Sequence, residues 1–175
     1  MNSAKIRFLF NGLSPNYDRF NRLFSLGLDV SWRKQLVSAV ARQQPAKILD
    51  LACGSGDVTT RLLQTCPKAG VFGVDFSRPL LTLARKRGCP KLAEADALNL
   101  PFADASFDGV TLAFGLRNFT NRIEALREIA RILCPGGVFG LLEFTPPPKP
   151  WNLFWNFYLT RLMPWVAQKV SGQGE

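Results

Sequence analysis

The feature that most constrains the fold is a short apolar run, KILDLA at residues 47–52, that leads into a turn containing Gly54 and Gly56. A helical stretch is predicted directly after this turn, from about Asp57. Glycines at the carboxyl end of a buried strand let the backbone pass close to a ligand. The segment therefore predicts an α/β fold with a ligand site at the end of its first strand.

Strands and helices alternate along the rest of the core. The runs GVFGVDF, LAEADA, FDGVTLAF and GVFGLLEF predict strands two to five, and SRPLLTLARKRG and RIEALREIARIL have helical periodicity. We expect Ser77 to cap the first of these helices and Pro135-Gly136-Gly137 to end the second. Regular alternation of this kind predicts a parallel sheet with right-handed crossovers.

One domain with three parts accounts for the chain. Residues 1–45 predict a helical N-terminal cap with short helices at 3–11 and 15–26 and a third helix at 29–42. We expect Asp29 or Ser31, near its start, to cap the third helix. Residues 46–147 contain the sheet, and residues 148–175 contain an aromatic helical stretch, WNLFWNFYLTRLM. This stretch is shorter than the roughly 20 residues that a bilayer requires. We expect it to cover the core, to close over a substrate or to lie at a membrane interface.

Composition excludes some chemistry. The chain has no histidine, the commonest general base and metal ligand, and its four cysteines lack a C-x-x-C pair. We therefore expect cytoplasmic thiols and no metal site. The net charge is +9, and residues 1–47 hold eight Lys or Arg against two acids. A basic segment attracts anions such as lipid head groups, although a solvated surface explains it equally well. Without a recognised binding motif, we expect no nucleic-acid partner.

Acidic residues follow the second and third predicted strands. Asp75 lies nineteen residues after Gly56, where an acid can bind both hydroxyls of a ribose. Asp96 precedes Ala97, and a carboxylate beside an apolar pocket suits an adenine amino group. A dinucleotide fingerprint would place glycine at position 59, which is Thr59 here. The alternatives are a helix cap for Asp75 and a turn acid for Asp96.

Several motifs together resemble those of class I S-adenosylmethionine-dependent methyltransferases, namely ILDLACGSGD, GVDFS, DALNLPFADASFD and ILCPGGVFGLLEF. TLAFGLRNFTN, and SPNYDRFNRLFSLGLDVSWRK near the start, narrow the resemblance to the ubiquinone/menaquinone biosynthesis C-methyltransferase family. The resemblance implies a Rossmann-like sheet of five mainly parallel strands with helices on both faces. It also implies methyl transfer from S-adenosylmethionine to a ring carbon of a prenylated quinol, with demethylmenaquinol as the favoured acceptor.

The resemblance implies a role for each matching residue. The cofactor would be held by Gly54, Gly56, Thr59, Asp75, Asp96, Ala97 and Ala113. Phe114, Arg117 and Asn118 would face the quinol, Tyr17 and Asp18 would close over the cofactor, and Arg117, Asn118 and Tyr17 would be catalytic. Arg117 is too basic to accept a proton, so we expect it to stabilise a phenolate, the alternative being a surface salt bridge. The proton acceptor is then a carboxylate, a tyrosine or water.

The sequence departs from the family at its end. Family members continue past the fifth strand with a helix and two further strands, so the resemblance implies a sheet that lacks its last two strands. Such an uncovered edge favours a homodimer. Because a prenylated quinol resides in membrane, we also expect peripheral, salt-sensitive membrane association. Two alternatives stay open, a methyltransferase for another small molecule and a cofactor-binding module without activity.

Overall fold

The computed structural model describes Arg22, Ser25 and residues 27–145. Its helices are α1 (Leu28–Ala41), α2 (Asp57–Thr65), α3 (Arg78–Lys86) and α4 (Arg122–Ile132). Its strands are β1 (Lys47–Leu51), β2 (Gly70–Asp75), β3 (Leu92–Glu94), β4 (Phe107–Ala113) and β5 (Leu133–Leu142), and a short 3-10 turn spans Leu116–Asn118. Apart from Arg22 and Ser25, the predicted helices at 3–11 and 15–26 and the aromatic stretch at 151–163 lie outside the described residues.

The strands form one sheet in the order β3-β2-β1-β4-β5. Each neighbouring pair is parallel, which confirms the predicted Rossmann-like α/β fold. The chain passes from β1 to β2 and β3 on one side, and then crosses to β4 and β5 on the other. The direction of winding therefore reverses between β1 and β4. In open parallel sheets, ligands bind outside the carboxyl ends of the strands at such a reversal.

Helices pack on both faces of the sheet. On one face, α4 joins the inward residues of β1, β2 and β4 in a core that includes Leu49, Leu51, Val110, Ala125, Ile129 and Ile132. On the other face, α1 and α2 pack on the sheet through Leu36, Val37, Ile48, Val58, Leu62 and Val71. Because side chains alternate along a strand, Asp50 lies on the same face as Ile48, toward α2. Among the residues that the structure describes, no helix is long and apolar enough to cross a membrane.

Two helix starts differ from the prediction. The N-cap of α1 is Gly27, whose φ of 80° is left-handed, so the prediction that Asp29 or Ser31 caps this helix is wrong. Asp29 instead pairs with Arg33 one turn later, at 2.6 Å. Ser77 occupies the N-cap position of α3 as predicted, but its side chain makes no capping hydrogen bond.

β5 is longer than the sequence indicates. Pro135-Gly136-Gly137 was expected to separate helix from strand, yet α4 ends and β5 begins before this tripeptide. Gly136 has a left-handed φ of 81°, and the register of β4 with β5 shifts between Phe107 and Gly109. The tripeptide is therefore an irregularity inside the strand, where glycine supplies a conformation that other residues rarely adopt.

Candidate cofactor-binding site

A cleft crosses the carboxyl ends of β1 and β4, where the winding of the sheet reverses. Ala52 and Ala113 line both of its halves. We define the glycine-turn half by its remaining lining residues, Arg33, Asp50, Cys53, Gly54, Ser55, Asp57 and Val58. The Asp75 half is lined in addition by Asp75, Phe76, Leu80, Phe114, Gly115, Asn118 and Phe119. The structure thus brings residues from the predicted glycine turn, the end of β2 and the segment after β4 to one cleft.

The backbone at the floor of the cleft is strained. Ala52 and Phe114, which directly follow β1 and β4, have left-handed φ values of 54° and 58°. This conformation costs a non-glycine residue about 1–2 kcal/mol, and such strain tends to occur at ligand sites. The two turns also touch, since a Cβ added to Gly115 would lie 2.8 Å from the Cβ of Ala52. The absence of a side chain at Gly115 therefore keeps the floor of the cleft open.

Asp75 ends β2 and is 4% exposed. One carboxylate oxygen accepts the backbone N–H of Gly54 at 2.8 Å, and the other accepts that of Ser77 at 2.8 Å. Burial raises the pKa of Asp75, against the lowering effect of the backbone hydrogen bonds. The backbone N–H of Phe76 also hydrogen-bonds this carboxylate. Since a carboxylate has about four acceptor sites, one remains for a hydroxyl group of a ligand. Contact of Asp75 with a ribose remains a prediction.

Asp96 and Ala97 lie in the loop after β3, which ends earlier than predicted, at Glu94. Asp96 is exposed and accepts the backbone N–H of Leu98 at 3.0 Å, which is a turn contact. Ala97 is buried in the core on the α4 side of the sheet. Neither residue lines the two halves of the cleft described above, and their contact with adenine remains a prediction.

Thr59 hydrogen-bonds to the carboxyl group of Asp50, a residue of the site that the sequence did not reveal. Its hydroxyl donates to Asp50 Oδ2 at 2.6 Å, and the hydroxyl of Thr111 donates to Oδ1 at 2.8 Å. Burial raises the pKa of Asp50 to about 6, although the two hydroxyls lower it. Asp50 stands inside the apolar run of β1, where a fully buried acid is rare, and that rarity was the available sequence clue. A direct contact of Thr59 with the cofactor remains a prediction.

The sequence analysis also missed Arg33, a buried cation that reaches the glycine-turn half from α1. Its Nη1 lies 2.6 Å from Asp29 and 2.9 Å from Asp57. Arg87 contacts the other oxygen of Asp57 at 2.7 Å, and the hydroxyl of Ser25 donates to Asp29 at 2.8 Å. This network joins α1 to the start of α2. The spacing of Asp29 and Arg33, one helical turn apart, was the clue in the sequence.

Three aromatic side chains, Trp32, Phe114 and Phe144, form what we call the aromatic wall beside the Asp75 half. Phe114 stacks on Phe144 with ring centroids 4.6 Å apart, and Trp32 meets Phe144 edge-on at 5.7 Å. The guanidinium of Arg117 lies over Phe114 and Phe144, and it pairs with the carboxylate of Glu143. The structure therefore places Arg117 in a salt bridge and next to an apolar planar surface at the same time.

The remaining residues predicted to face the substrate divide into two groups. Asn118 lines the cleft, and its side-chain amide donates to the carbonyl of Phe114 at 3.5 Å. Tyr17 and Asp18 lie outside the described residues, and their closure over the cofactor remains a prediction. The catalytic roles of Arg117, Asn118 and Tyr17 remain predictions.

The residues of the cleft fit a cofactor that joins a nucleoside to an amino acid. Asp75 offers an acceptor for a hydroxyl group, and Arg33 and Asp57 offer opposite charges for a zwitterion. Gly54 lines the cleft, whereas Gly56 packs the turn against α3, since an added Cβ would lie 3.0 Å from the Cβ of Ala84. A direct contact of Gly56 with the cofactor remains a prediction. When bound, S-adenosylmethionine would supply an activated methyl group to this cleft. Fold and site together define a methyltransferase that depends on this cofactor.

Comparison with known proteins supports this class and makes it specific. A SAM-dependent methyltransferase from Thermotoga maritima has a TM-score of 0.65 at 25% identity, with 78% of this chain and 60% of that chain covered. The chain belongs to the ubiE/COQ5 methyltransferase family, whose model matches residues 1–173. The predicted family, enzyme class and cofactor are thereby confirmed.

Two relatives illustrate the match. The demethylmenaquinone methyltransferase of Thermus thermophilus is 44% identical over 170 residues, which cover 94% of this chain and 77% of that protein. The ubiquinone/menaquinone biosynthesis C-methyltransferase of Geobacter sulfurreducens is 38% identical over 181 residues, with 97% of this chain and 70% of that protein covered. The chain is thus a methyltransferase of quinone biosynthesis.

Proposed function

We propose that the protein transfers a methyl group from S-adenosylmethionine to a ring carbon of demethylmenaquinol and thereby forms menaquinol. The observation that carries the choice of a quinol is the aromatic wall, which shares Phe114 with the Asp75 half of the cleft. Stacked and edge-on aromatic side chains suit a flat apolar ring. The name of the Thermus thermophilus relative supports the naphthoquinol acceptor.

The Arg117–Glu143 pair supplies the two groups that ring methylation needs. A ring carbon becomes nucleophilic when a neighbouring hydroxyl loses its proton. The chain lacks histidine, and a guanidinium is too basic to take that proton. In this proposal Glu143 accepts the hydroxyl proton as general base, and Arg117 stabilises the phenolate. As the ring carbon bonds to the methyl group, the bond between that group and sulfur breaks and S-adenosylhomocysteine is released. The ring carbon then loses its own proton to water, the ring regains aromaticity, and Glu143 returns its proton to the phenolate oxygen to give the quinol.

Peripheral membrane contact is part of the proposal. A prenylated quinol resides in membrane, and residues 1–47 hold eight Lys or Arg against two acids. A basic residue close to an anionic surface contributes about 1 kcal/mol of attraction. Arg33 does not contribute, because it is buried. Binding to anionic vesicles that declines with added salt is expected, and no binding at low salt would contradict this part.

The experiment that tests the function is methyl transfer from labelled S-adenosylmethionine to reduced demethylmenaquinol in detergent. Labelled menaquinol is the expected product, and a benzoquinol acceptor run in parallel should react more slowly. Cofactor binding is titrated in the same preparation, with Asp75→Ala as the variant that should lose it. Cofactor binding without quinol methylation would refute the quinol assignment. Transfer to a non-quinol acceptor alone would favour the other methyltransferase interpretation.

A further inference from the structure

Arg33 is a buried cation on the wall of the cofactor cleft. It is 6% exposed and lines the glycine-turn half beside Gly54 and Ser55. Buried arginines occur where their charge is paired, and Asp29 and Asp57 provide that pairing. A purely structural role, in which Arg33 joins α1 to α2, accounts for these two ion pairs. That role does not explain why the guanidinium also borders the cleft.

The geometry of the ion pairs leaves the guanidinium with donors for a ligand. The same nitrogen, Nη1, donates to both Asp29 and Asp57. A guanidinium presents five N–H donors in a planar fork, and that fork matches a carboxylate with two parallel hydrogen bonds. The centroid of the Phe114 ring lies 5.4 Å from the guanidinium carbon, so a cation–π contact also holds the guanidinium at the cleft.

We infer that Arg33 binds the α-carboxylate at the amino-acid end of S-adenosylmethionine. With the ribose at Asp75, a ligand crossing the floor at Ala52 and Ala113 places its amino-acid end in the glycine-turn half. That half holds the cation Arg33 next to the acid Asp57, 2.9 Å apart. Adjacent opposite charges of this kind receive a zwitterion, with the carboxylate at the arginine and the ammonium at an acid.

The inference concerns the cofactor and is independent of the proposed quinol acceptor. Its test is therefore a binding titration without acceptor, using S-adenosylhomocysteine and 5′-methylthioadenosine. The second ligand keeps the nucleoside and the sulfur but lacks the amino-acid end. Arg33→Gln should weaken S-adenosylhomocysteine about 10- to 100-fold, the loss expected for a charge-assisted hydrogen-bonded pair. Its effect on 5′-methylthioadenosine should be less than about twofold, because that ligand never reaches Arg33.

Arg42→Gln is the matched control, because it removes the same charge from the end of the same helix. Arg42 is exposed and lines neither half of the cleft, so its loss should leave the preference between the two ligands unchanged. Equal loss of both ligands in Arg33→Gln would overturn the inference, because it would indicate a purely structural role. Unchanged binding of both ligands would overturn it as well.

A second measurement needs no substitution and stays decisive if Arg33→Gln does not fold. Wild-type protein is titrated with S-adenosylhomocysteine and with its analogue that lacks only the carboxylate. The analogue should bind about 10- to 100-fold more weakly, and Arg33→Lys should reduce that difference because a lysine cannot form the two parallel bonds. Equal affinity of the wild type for the two ligands would overturn the inference.

Discussion

The hydroxyl of Thr59 donates to the buried carboxyl group of Asp50 at 2.6 Å, directly beneath the cofactor cleft. Thr111 donates to the other oxygen of the same carboxyl group at 2.8 Å. Three elements, β1, α2 and β4, therefore meet at one polar group inside an otherwise apolar core. A buried polar network of this kind is stabilising only when each member has its partner.

The first prediction concerns Asp50→Asn. Because the pKa of Asp50 is raised from 3.8 to about 6, its contribution to stability is fully present below pH 3.8 and is lost as pH rises through about 6. Replacing it by asparagine removes a penalty on the order of 3 kcal/mol that the wild type acquires over this interval. The free energy of unfolding is measured in urea across this pH interval for both proteins. The stability of Asp50→Asn relative to the wild type should increase as pH rises.

Thr59→Val tests the same relationship from the donor. Loss of the hydroxyl removes an interaction that lowers the pKa of Asp50, so the variant should lose more stability at neutral pH than at acidic pH. The expected loss at neutral pH is about 1–3 kcal/mol. If the free energy of unfolding has the same pH dependence in the wild type, Asp50→Asn and Thr59→Val, then Asp50 does not titrate as the structure indicates.

The network also shows why the sequence predicted the fold better than the site. The glycine turn at Gly54 and the alternation of strands and helices are local patterns, and both were correct. Asp50 and Thr111 are 61 residues apart, and Arg33 and Asp57 are 24 residues apart. Pairings over such separations depend on the completed sheet, so local patterns could not reveal which charges are buried together.

Glu143→Ala should reduce the turnover number for quinol methylation by about 10²- to 10⁴-fold, the range for loss of a general base. The affinity for S-adenosylhomocysteine should stay within about twofold, because Glu143 lies at the aromatic wall and not in the glycine-turn half. Added formate should restore part of the activity in Glu143→Ala and none in Glu143→Gln, whose side chain fills the site. The readout is methyl transfer at saturating quinol.

Arg117 provides the comparison for Glu143. If Glu143 only positioned Arg117, then Arg117→Gln and the double variant would have equal activity and formate would rescue neither. Arg117→Lys and Arg117→Gln should both lower turnover, because a lysine keeps the charge but not the fork that spans Glu143 and the phenolate. Unchanged turnover in both variants would refute the electrostatic role of Arg117.

Gly115→Ala should damage the cleft for a steric reason. The added Cβ would lie 2.7 Å from Leu112 Cδ1 and 2.8 Å from Ala52 Cβ, and overpacking of this kind costs about 1–3 kcal/mol. Because Ala52 lines both halves of the cleft, cofactor affinity should fall together with thermal stability. Gly88→Ala is the control, since its φ of 87° strains the chain but no atom lies within 4 Å of the added Cβ. It should lose stability and keep cofactor affinity.

Glu128 should have the opposite pH dependence to Asp50. It accepts the backbone N–H of Leu100 at 2.9 Å and pairs with Arg131 at 2.7 Å, and Arg131 in turn donates to the carbonyl of Phe102 at 2.8 Å. The hydrogen bond from Arg131 is the main reason that the pKa of Glu128 falls from 4.5 to about 2. Its stabilisation is therefore present above pH 4.5 and is lost as pH falls toward 2. Glu128→Gln should lower the free energy of unfolding at neutral pH by about 1 kcal/mol, a modest value because the pair is partly solvated.

This difference between wild type and Glu128→Gln should shrink as pH falls below 4.5, as measured by urea unfolding. Arg131→Gln and the double variant complete a double-mutant cycle. The loss of stability in the double variant should be smaller than the sum of the two single losses, because both residues hold the same loop. That loop follows Asp96 and Ala97, so loosening it should also weaken cofactor binding if these residues contact adenine. If Arg131→Gln is destabilised but binds the cofactor as tightly as the wild type, the predicted adenine contact is contradicted. If the stability difference between the wild type and Glu128→Gln persists at low pH, the assignment of the pH dependence to Glu128 is contradicted.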